Sequence, residues 1–218
     1  MKRKSDVELR DEVLAEIKWD TRLEPTEVGV EVKNGVVTLS GTVDSWAKRL
    51  AAKEAAHRVF GVLDVANDVV VHTRTSPGRT DADIAEQARL ALEWDVFVPH
   101  EQIHTTVSNG VLTLDGEVGT ASQRSDAERA VRYLTGVLAV SNNIKVKSAV
   151  RSAEVKQAIT SALQRHANWE ADHVSVEVTD GGVRVEGTVD SWTERDAVLS
   201  AVWGTRGVRS VDDRIAIL

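Results

Sequence analysis

The chain has 218 residues, of which 42% are hydrophobic and 28% are charged, with a formal net charge of −7 and no cysteine. This composition is typical of a globular protein, and it excludes disulfides, thiolate metal sites and a cysteine nucleophile. The first residues, Met-Lys-Arg-Lys-Ser-Asp, lead into a segment of mixed charge, and no window approaches the ~20 apolar residues of a membrane span, so we expect a cytoplasmic protein.

One pattern of 66 residues occurs three times without gaps, at 6–71, 81–146 and 152–217, and predicts three domains with these bounds. Its clearest mark is Asn34-Gly-Val-Val-Thr-Leu-Ser-Gly41, which matches segments that end at Gly116 and Gly187. Each repeat is acidic, with net charges of −5, −5 and −4 from Lys, Arg, Asp and Glu. Because nucleic-acid binding needs a basic face, we expect no nucleic acid partner.

Each repeat begins with a predicted amphipathic helix. Apolar residues recur every fourth position and so share one helical face, as in Leu9, Val13 and Ile17. Each helix starts at a residue whose side chain could cap free backbone amides, namely Asp6, Asp81 and Ser152. Trp19 and Trp94 end the first two of these helices, and we expect them to be half-buried packing residues.

A predicted β-hairpin, a second helix and a last strand follow. The first strand alternates apolar and polar residues, as in Val28, Val30 and Val32. Asn-Gly or Asp-Gly then suits a two-residue turn with positive φ. The second helix has an apolar face at Ala52, Ala55, Ala56 and Val59. The order predicts an α+β fold of three tandem αββαβ modules, each a three-stranded mixed sheet with two helices on one face.

Six glycines recur at fixed places in the repeats. Three lie in or just after the return strand, without the spacing of a phosphate-binding loop, and indicate a bulge or close backbone packing: Gly41, Gly116 and Gly187. Three follow the second helix, where glycine favours the left-handed conformation that ends a helix: Gly61, Gly136 and Gly207. We interpret all six as structural.

The segment Asn-Gly-Val-Val-Thr-Leu-Ser-Gly-Thr-Val-Asp-Ser-Trp-Ala-Lys-Arg at 34–49, followed by Gly61, Val62, Val65 and Asn67, closely resembles the BON domain. This family is named from a bacterial osmotically inducible protein and nodulation proteins. The resemblance implies an αββαβ fold, no catalysis, no cofactor, and a role in envelope maintenance, osmotic tolerance or phospholipid association. It also implies an alternative, because one cytoplasmic relative binds potassium.

Residues 100–104 read His-Glu-Gln-Ile-His and match the zinc-protease pattern H-E-x-x-H. That chemistry needs a helix, which places both imidazoles on one metal. Here the segment leads into a predicted strand, where residues four apart are separated by roughly 13 Å. We therefore predict no catalytic zinc and keep a zinc hydrolase as a remote alternative.

Two groups of residues are candidate contacts for lipid or a partner. Trp46 and Trp192 occupy the same position in two repeats, with Lys48 and Arg49 beside the first. In the segment Trp-Asp-Val-Phe-Val-Pro at 94–99, only the second valine must face the core. Val96 and Phe97 are then surplus apolar residues, and such clusters usually mark a contact surface. Packing between domains of the same chain is the alternative explanation.

The resulting hypothesis is a non-catalytic stress-response protein that contacts a phospholipid membrane surface or a protein partner. The alternative is a cytoplasmic protein that binds or senses potassium, which fits the acidic repeats and could use backbone carbonyl ligands.

Overall fold

The computed structural model describes residues 4–72, 79–147, 152–166 and 174–218. Two compact units can be distinguished in it. The first consists of the described residues up to 72 with Asp190–Thr193 and Ile217–Leu218, and the second of those in 79–189 and 194–216.

Helices and strands follow the predicted order in each repeat. The first repeat contains α1 (Asp6–Trp19), β1 (Val28–Lys33), β2 (Val36–Val43), α2 (Trp46–Arg58), β3 (Asp64–Asn67) and β4 (Val70–Val71). The second contains α3 (Asp81–Trp94), a short 3-10 helix (His100–Gln102), β5 (Ile103–Ser108), β6 (Val111–Val118), α4 (Ala121–Val131), β7 (Ala139–Asn142) and β8 (Lys145–Val146). The third contains α5 (Ser152–His166), β9 (Val174–Thr179), β10 (Gly182–Val189), α6 (Trp192–Trp203) and β11 (Ser210–Ile217).

The last predicted strand is split in the first two repeats. An asparagine at the break turns its side chain back onto the chain: Asn67 Oδ1 accepts a hydrogen bond from the amide of Val69, and Asn142 Oδ1 accepts one from that of Ile144. Asp213 Oδ1 accepts the same kind of bond from the amide of Ile215 in the third repeat, where β11 is continuous. This bond alone therefore does not break the strand.

Each repeat forms one sheet with the return strand at its centre. β1 and β2 pair antiparallel from Val28 opposite Gly41 to Lys33 opposite Val36, and β2 pairs parallel with β3. β5, β6 and β7 repeat this arrangement, and β10 lies between β9 and β11. The predicted α+β fold with mixed sheets is confirmed.

The two helices of a repeat pack on the same side of its sheet and bury the predicted faces. α1 contacts both β1 and α2. The first core contains the predicted positions of both helices and of β2: Leu9, Val13, Ile17, Val37, Leu39, Val43, Ala52, Ala55, Ala56 and Val59. Burial of these side chains is the main stabilising contribution, since the repeats contain no disulfide.

The predicted N-caps at Asp6 and Asp81 are wrong by one residue. Ser5 caps α1 and Thr80 caps α3, each within a reciprocal capping box. The Asp6 carboxylate instead accepts hydrogen bonds from the amides of Asn34 and Gly35, at 2.8 and 2.9 Å. Asp81 does the same for the turn of the second repeat. An aspartate at the first helical position thus ties the helix to the hairpin. The third predicted cap, the side chain of Ser152, lies outside the described residues.

The glycines of the return strands lie against backbone. Gly41 has φ +123°, and a Cβ built on it would stand 2.1 Å from the carbonyl oxygen of Glu27. Gly116 has φ +146° and would approach the carbonyl of Gln102 to 2.2 Å. Gly187, with φ 152°, has the same place in the third repeat. The glycines after the second helices, Gly61, Gly136 and Gly207, also have positive φ.

Candidate functional site

The segment between α3 and β5 exposes its apolar side chains. Val98 is buried, as Leu23 is in the first repeat, whereas Val96 is 89% and Phe97 69% exposed. The tip is preformed, because Asp95 accepts a hydrogen bond from the amide of Phe97 through its side chain and one from the amide of Val98 through its carbonyl. Such exposure argues against the alternative that these two side chains pack against another described part of the chain.

The prediction for the tryptophans that end the first helices is wrong. Trp19 is 74% and Trp94 84% exposed. Each lies two residues after the last buried residue of its helix, Ile17 or Leu92, and a step of two residues turns about 200° around the axis. Both rings therefore face away from the core. Trp169, the proposed core residue of the third repeat, lies outside the described residues.

The first repeat has an ion network at the place that corresponds to the exposed tip. Asp20 is only 7% exposed, and its carboxylate accepts hydrogen bonds from Arg22 at 2.7 Å and Arg58 at 3.1 Å. Arg22 also pairs with Glu54, and Arg58 with Glu16. The hydrogen bonds from Arg22, followed by that from Arg58, hold the pKa of Asp20 far below its usual range. The network is therefore charged at neutral pH.

In the second repeat aromatic residues take the places of both arginines. Asp95 corresponds to Asp20, but Phe97 replaces Arg22 and Tyr133 replaces Arg58. Within the described part of the chain no ion pair forms at Asp95. Because Arg22 and Arg58 meet at one carboxylate, the positions that correspond to them, Phe97 and Tyr133, are neighbours in the fold. We call Trp94, Val96, Phe97 and Tyr133 the aromatic surface.

The sequence analysis assigned Trp94 of this surface to packing and did not name Tyr133. Tyr133 directly follows Arg132, the C-cap residue of α4. It is 52% exposed, and the guanidinium of Arg132 lies 4.6 Å from the centre of its ring and donates a hydrogen bond to its hydroxyl. The signal was present in the alignment of the repeats, where Tyr133 stands opposite Arg58. Arg132 thus adds a cation beside the ring of Tyr133.

Trp46, Lys48 and Arg49 lie close together, but the two cations are engaged within the first repeat. The ammonium group of Lys48 pairs with Asp44 at 2.9 Å and more distantly with Glu27, and the hydrogen bond to Asp44 raises the pKa of Lys48. Arg49 lies 5.1 Å from the centre of the Trp46 ring and donates to a backbone carbonyl. A ligand would have to compete with these partners.

The Arg49 guanidinium donates a hydrogen bond to the backbone carbonyl of Asn67. The side-chain amide of Asn67 in turn donates one to the backbone carbonyl of Arg49. Arg124 and Asn142 repeat this reciprocal pair in the second repeat, and Arg195 pairs with Asp213 in the third. An arginine that fastens the second helix to the last strand in every repeat has a structural role, which accounts for Arg49 without a ligand.

Trp192 does not present a free ring. Its indole stacks on the imidazole of His57, with 3.8 Å between ring centres and 6° between ring planes. It also packs against the core cluster of the first compact unit. The proposed lipid contact at Trp192 is therefore occupied by a contact within the protein.

The family model of the BON domain matches residues 5–73, 80–148 and 151–218. The chain belongs to the BON-domain family. It is 29% identical over 131 residues to osmotically-inducible protein Y of Escherichia coli (strain K12), in an alignment that covers 57% of the chain and 64% of that relative. The chain thus spans slightly less than two thirds of the length of this curated relative.

Two solved structures of CdsD, a structural protein of the type III secretion system of Chlamydia trachomatis, are also similar to this BON protein. One aligns with 97% of this chain and 92% of its own at 17% identity and a TM-score of 0.28. The other, its C-terminal domain, aligns with 99% and 100% at 16% identity and a TM-score of 0.26.

The His-Glu-Gln-Ile-His segment of the second BON domain does not form the helix that a zinc protease needs. His100 lies in the 3-10 helix, and His104 lies on β5 opposite Asp115 of β6. In the described ranges, no three His, Asp or Glu side chains come together as a metal-ligand group. The two imidazoles therefore do not lie one turn apart on an α-helix.

We expect purified protein to contain no stoichiometric zinc, because this segment changes from 3-10 helix to strand between the two histidines. Elemental analysis by mass spectrometry of protein purified without chelator measures it. One zinc per chain that disappears in His104→Ala, together with a hydrolytic activity, would show the interpretation to be wrong. His72→Ala is the matched control.

No helix in the described ranges of the BON protein combines the length and the apolar content that crossing a bilayer requires.

Proposed function

We propose that this BON protein is a non-catalytic stress-response protein whose second domain docks onto a phospholipid membrane surface. The stress role rests on its similarity to a protein named as osmotically inducible. The membrane role rests on one observation, the aromatic surface of the second domain. The first domain has an ion network at the same positions, so the fold itself does not require aromatic residues there.

The chemistry of the aromatic surface fits the head-group region of a bilayer. Tryptophan and tyrosine prefer this region because one part of the ring is apolar and another forms hydrogen bonds. Arg132 beside Tyr133 provides a cation for lipid phosphates. Val96 and Phe97 stand at the tip and would enter the acyl boundary first. The net charge of −5 on the second repeat opposes purely electrostatic adhesion, so apolar insertion must supply most of the affinity.

Flotation with vesicles tests the proposal, using the full chain and a mixture of phosphatidylcholine and phosphatidylglycerol. Wild-type protein is expected to float with the vesicles, and Phe97→Ser is expected to weaken binding about tenfold or more, since burial of a phenylalanine is worth ~1.5–3 kcal/mol. The thermal stability of Phe97→Ser should hardly change, because Phe97 is already in water. The matched control is Phe60→Ser, which alters the other phenylalanine of the chain.

Three outcomes would contradict the membrane proposal. Wild-type protein could fail to float, or Phe97→Ser could float as well as wild type. Phe97→Ser could also abolish a self-association or a complex with another protein while flotation remains unchanged, which would assign the aromatic surface to a protein partner. Amide shifts that appear on addition of potassium but not sodium, in a protein that does not float, would favour the potassium-binding alternative.

A further inference from the structure

A groove of about 640 Å3 lies between α4 and α6 within the second compact unit. It is separate from the aromatic surface, since none of Trp94, Val96, Phe97 or Tyr133 lines it. Small residues of α4 form part of its lining, including Ala121 and Ser125. The volume is within the ~300–1,000 Å3 of typical small-ligand sites.

A substitution specific to the second repeat helps to keep this groove open. α2 and α6 begin with Trp46 and Trp192, whereas the same position at the start of α4 is Ala121. Because Ala121 lines the groove, an indole at this position would project into it. The sequence therefore leaves space here at a position where the other two repeats carry a large ring.

The charged groups on the α4 side of the groove already have partners. Arg129 pairs with Asp126 at 2.6 Å. Asn142 donates to Glu128 at 3.0 Å and accepts from Arg124 at 3.1 Å through its carbonyl. A charged ligand would have to displace one of these partners. Hydroxyl groups can instead donate to the carboxylates and accept from the guanidinium groups while the pairs persist.

The α6 side of the groove carries two large apolar side chains beside Asp196 and Ser200. Trp203 and Leu199 line it, and Trp203 is held by packing against the core of the third domain. Asp196, on the same helix, is itself engaged in an interaction. The groove therefore has an apolar surface at Trp203 and a hydrogen-bonding surface at the paired charged groups of α4. The ring of a sugar has both, with C–H groups on its face and hydroxyl groups around its edge.

We propose that the groove between α4 and α6 binds a neutral, hydroxyl-rich ring compound of the size of a mono- or disaccharide. The face of the ring packs on Trp203, and its hydroxyls bond to the paired groups of Arg129 and Asp126. This site is distinct from the membrane-docking site, because no residue of the aromatic surface lines the groove.

Titration of 15N-labelled full-length protein with maltose, trehalose and cellobiose tests the proposal. At least one neutral sugar is expected to shift amides of α4 and α6, whereas glucosamine and glucuronate at the same concentration should shift them far less. Ala121→Trp should abolish these shifts by filling the groove, and Ser200→Leu should weaken binding from the opposite wall. Arg129→Gln is expected to lower affinity about tenfold through the loss of charge-assisted hydrogen bonds. Trp46→Ala, the reciprocal change in the first domain, is the matched control and should leave the shifts unchanged.

The proposal is overturned if none of the three sugars shifts these amides in wild-type protein. It is also overturned if a charged probe shifts them more than the neutral sugars do, or if both Ala121→Trp and Ser200→Leu bind sugar like wild type. Vesicle flotation is measured on the same preparations. If wild-type protein floats but binds none of the sugars, the groove proposal fails and the membrane proposal stands.

Discussion

Replacement of Gly41 by alanine is expected to lower the free energy of unfolding of the first domain by about 3 kcal/mol or more. Two costs combine at this position. The φ of +123° is unfavourable for any residue with a Cβ, and the new methyl group would stand 2.1 Å from the carbonyl oxygen of Glu27. That oxygen accepts a hydrogen bond from the amide of Thr42, so it cannot move away without loss of this bond.

Native-state hydrogen exchange followed by mass spectrometry measures the free energy of unfolding of each domain separately. A single unfolding midpoint of a multidomain chain does not give this quantity. The control is Gly29→Ala on the neighbouring strand, where the φ is ordinary and the nearest atom is the rotatable Ser40 hydroxyl at 3.0 Å. This control should change stability by less than ~0.5 kcal/mol. Equal protection of the first domain in the two variants would contradict the steric explanation.

The order of elements could be read from the sequence because periodicity depends on local geometry. Leu9, Val13 and Ile17 all lie in the first core, since a spacing of four keeps side chains on one face of a helix. Agreement among three copies strengthened each assignment. Periodicity did not predict the breaks after Asn67 and Asn142, because β11 has apolar residues at the same positions and is continuous.

The caps show where local pattern is insufficient. Ser5 and Asp6 both belong to residue types that cap helices, and nothing in a single helix decides between them. The decision is tertiary, because the Asp6 carboxylate is needed 28 residues away at the hairpin turn. The exposure of Trp94 follows from its position about 200° around the helix axis from the buried Leu92. The expectation of a half-buried ring was based instead on the general preference of tryptophan for partial burial.

The two candidate sites differ in how far the sequence reveals them. The aromatic surface could be found by comparison of repeats, because Phe97 and Tyr133 replace arginines that the first repeat uses. The groove could not, because it depends on how α4 packs near α6, which lies about 70 residues further along the chain. The alignment of the repeats shows Ala121 in the place of two tryptophans, but its position in the lining of a groove is seen only in the packing.

Asp20→Asn is expected to destabilise the first domain by about 2 kcal/mol at neutral pH, since it removes the charge that receives hydrogen bonds from both Arg22 and Arg58. The loss is smaller than for a fully buried pair, because both arginines remain partly in water. Asp95→Asn, at the same position of the second domain, is the matched control. Asp95 has no ion pair there within the described residues, so a change below ~0.5 kcal/mol is expected.

The pH dependence of this difference separates the ionic contribution from a loss of packing. The pKa of Asp20 in the folded protein lies far below the ~3.9 of an unfolded chain, because Arg22 and Arg58 hydrogen-bond to the charged form. A depressed pKa stabilises the fold fully above the unfolded value, and this contribution is lost as the pH falls through ~3.9 towards the folded value. The difference in exchange-derived stability between wild type and Asp20→Asn should therefore be constant from pH 7 to pH 5 and shrink by about 1 kcal/mol at pH 3. A difference that stays the same at pH 3 would show that the substituted amide disturbs packing, and that the charge of Asp20 contributes little to the stability of the first domain.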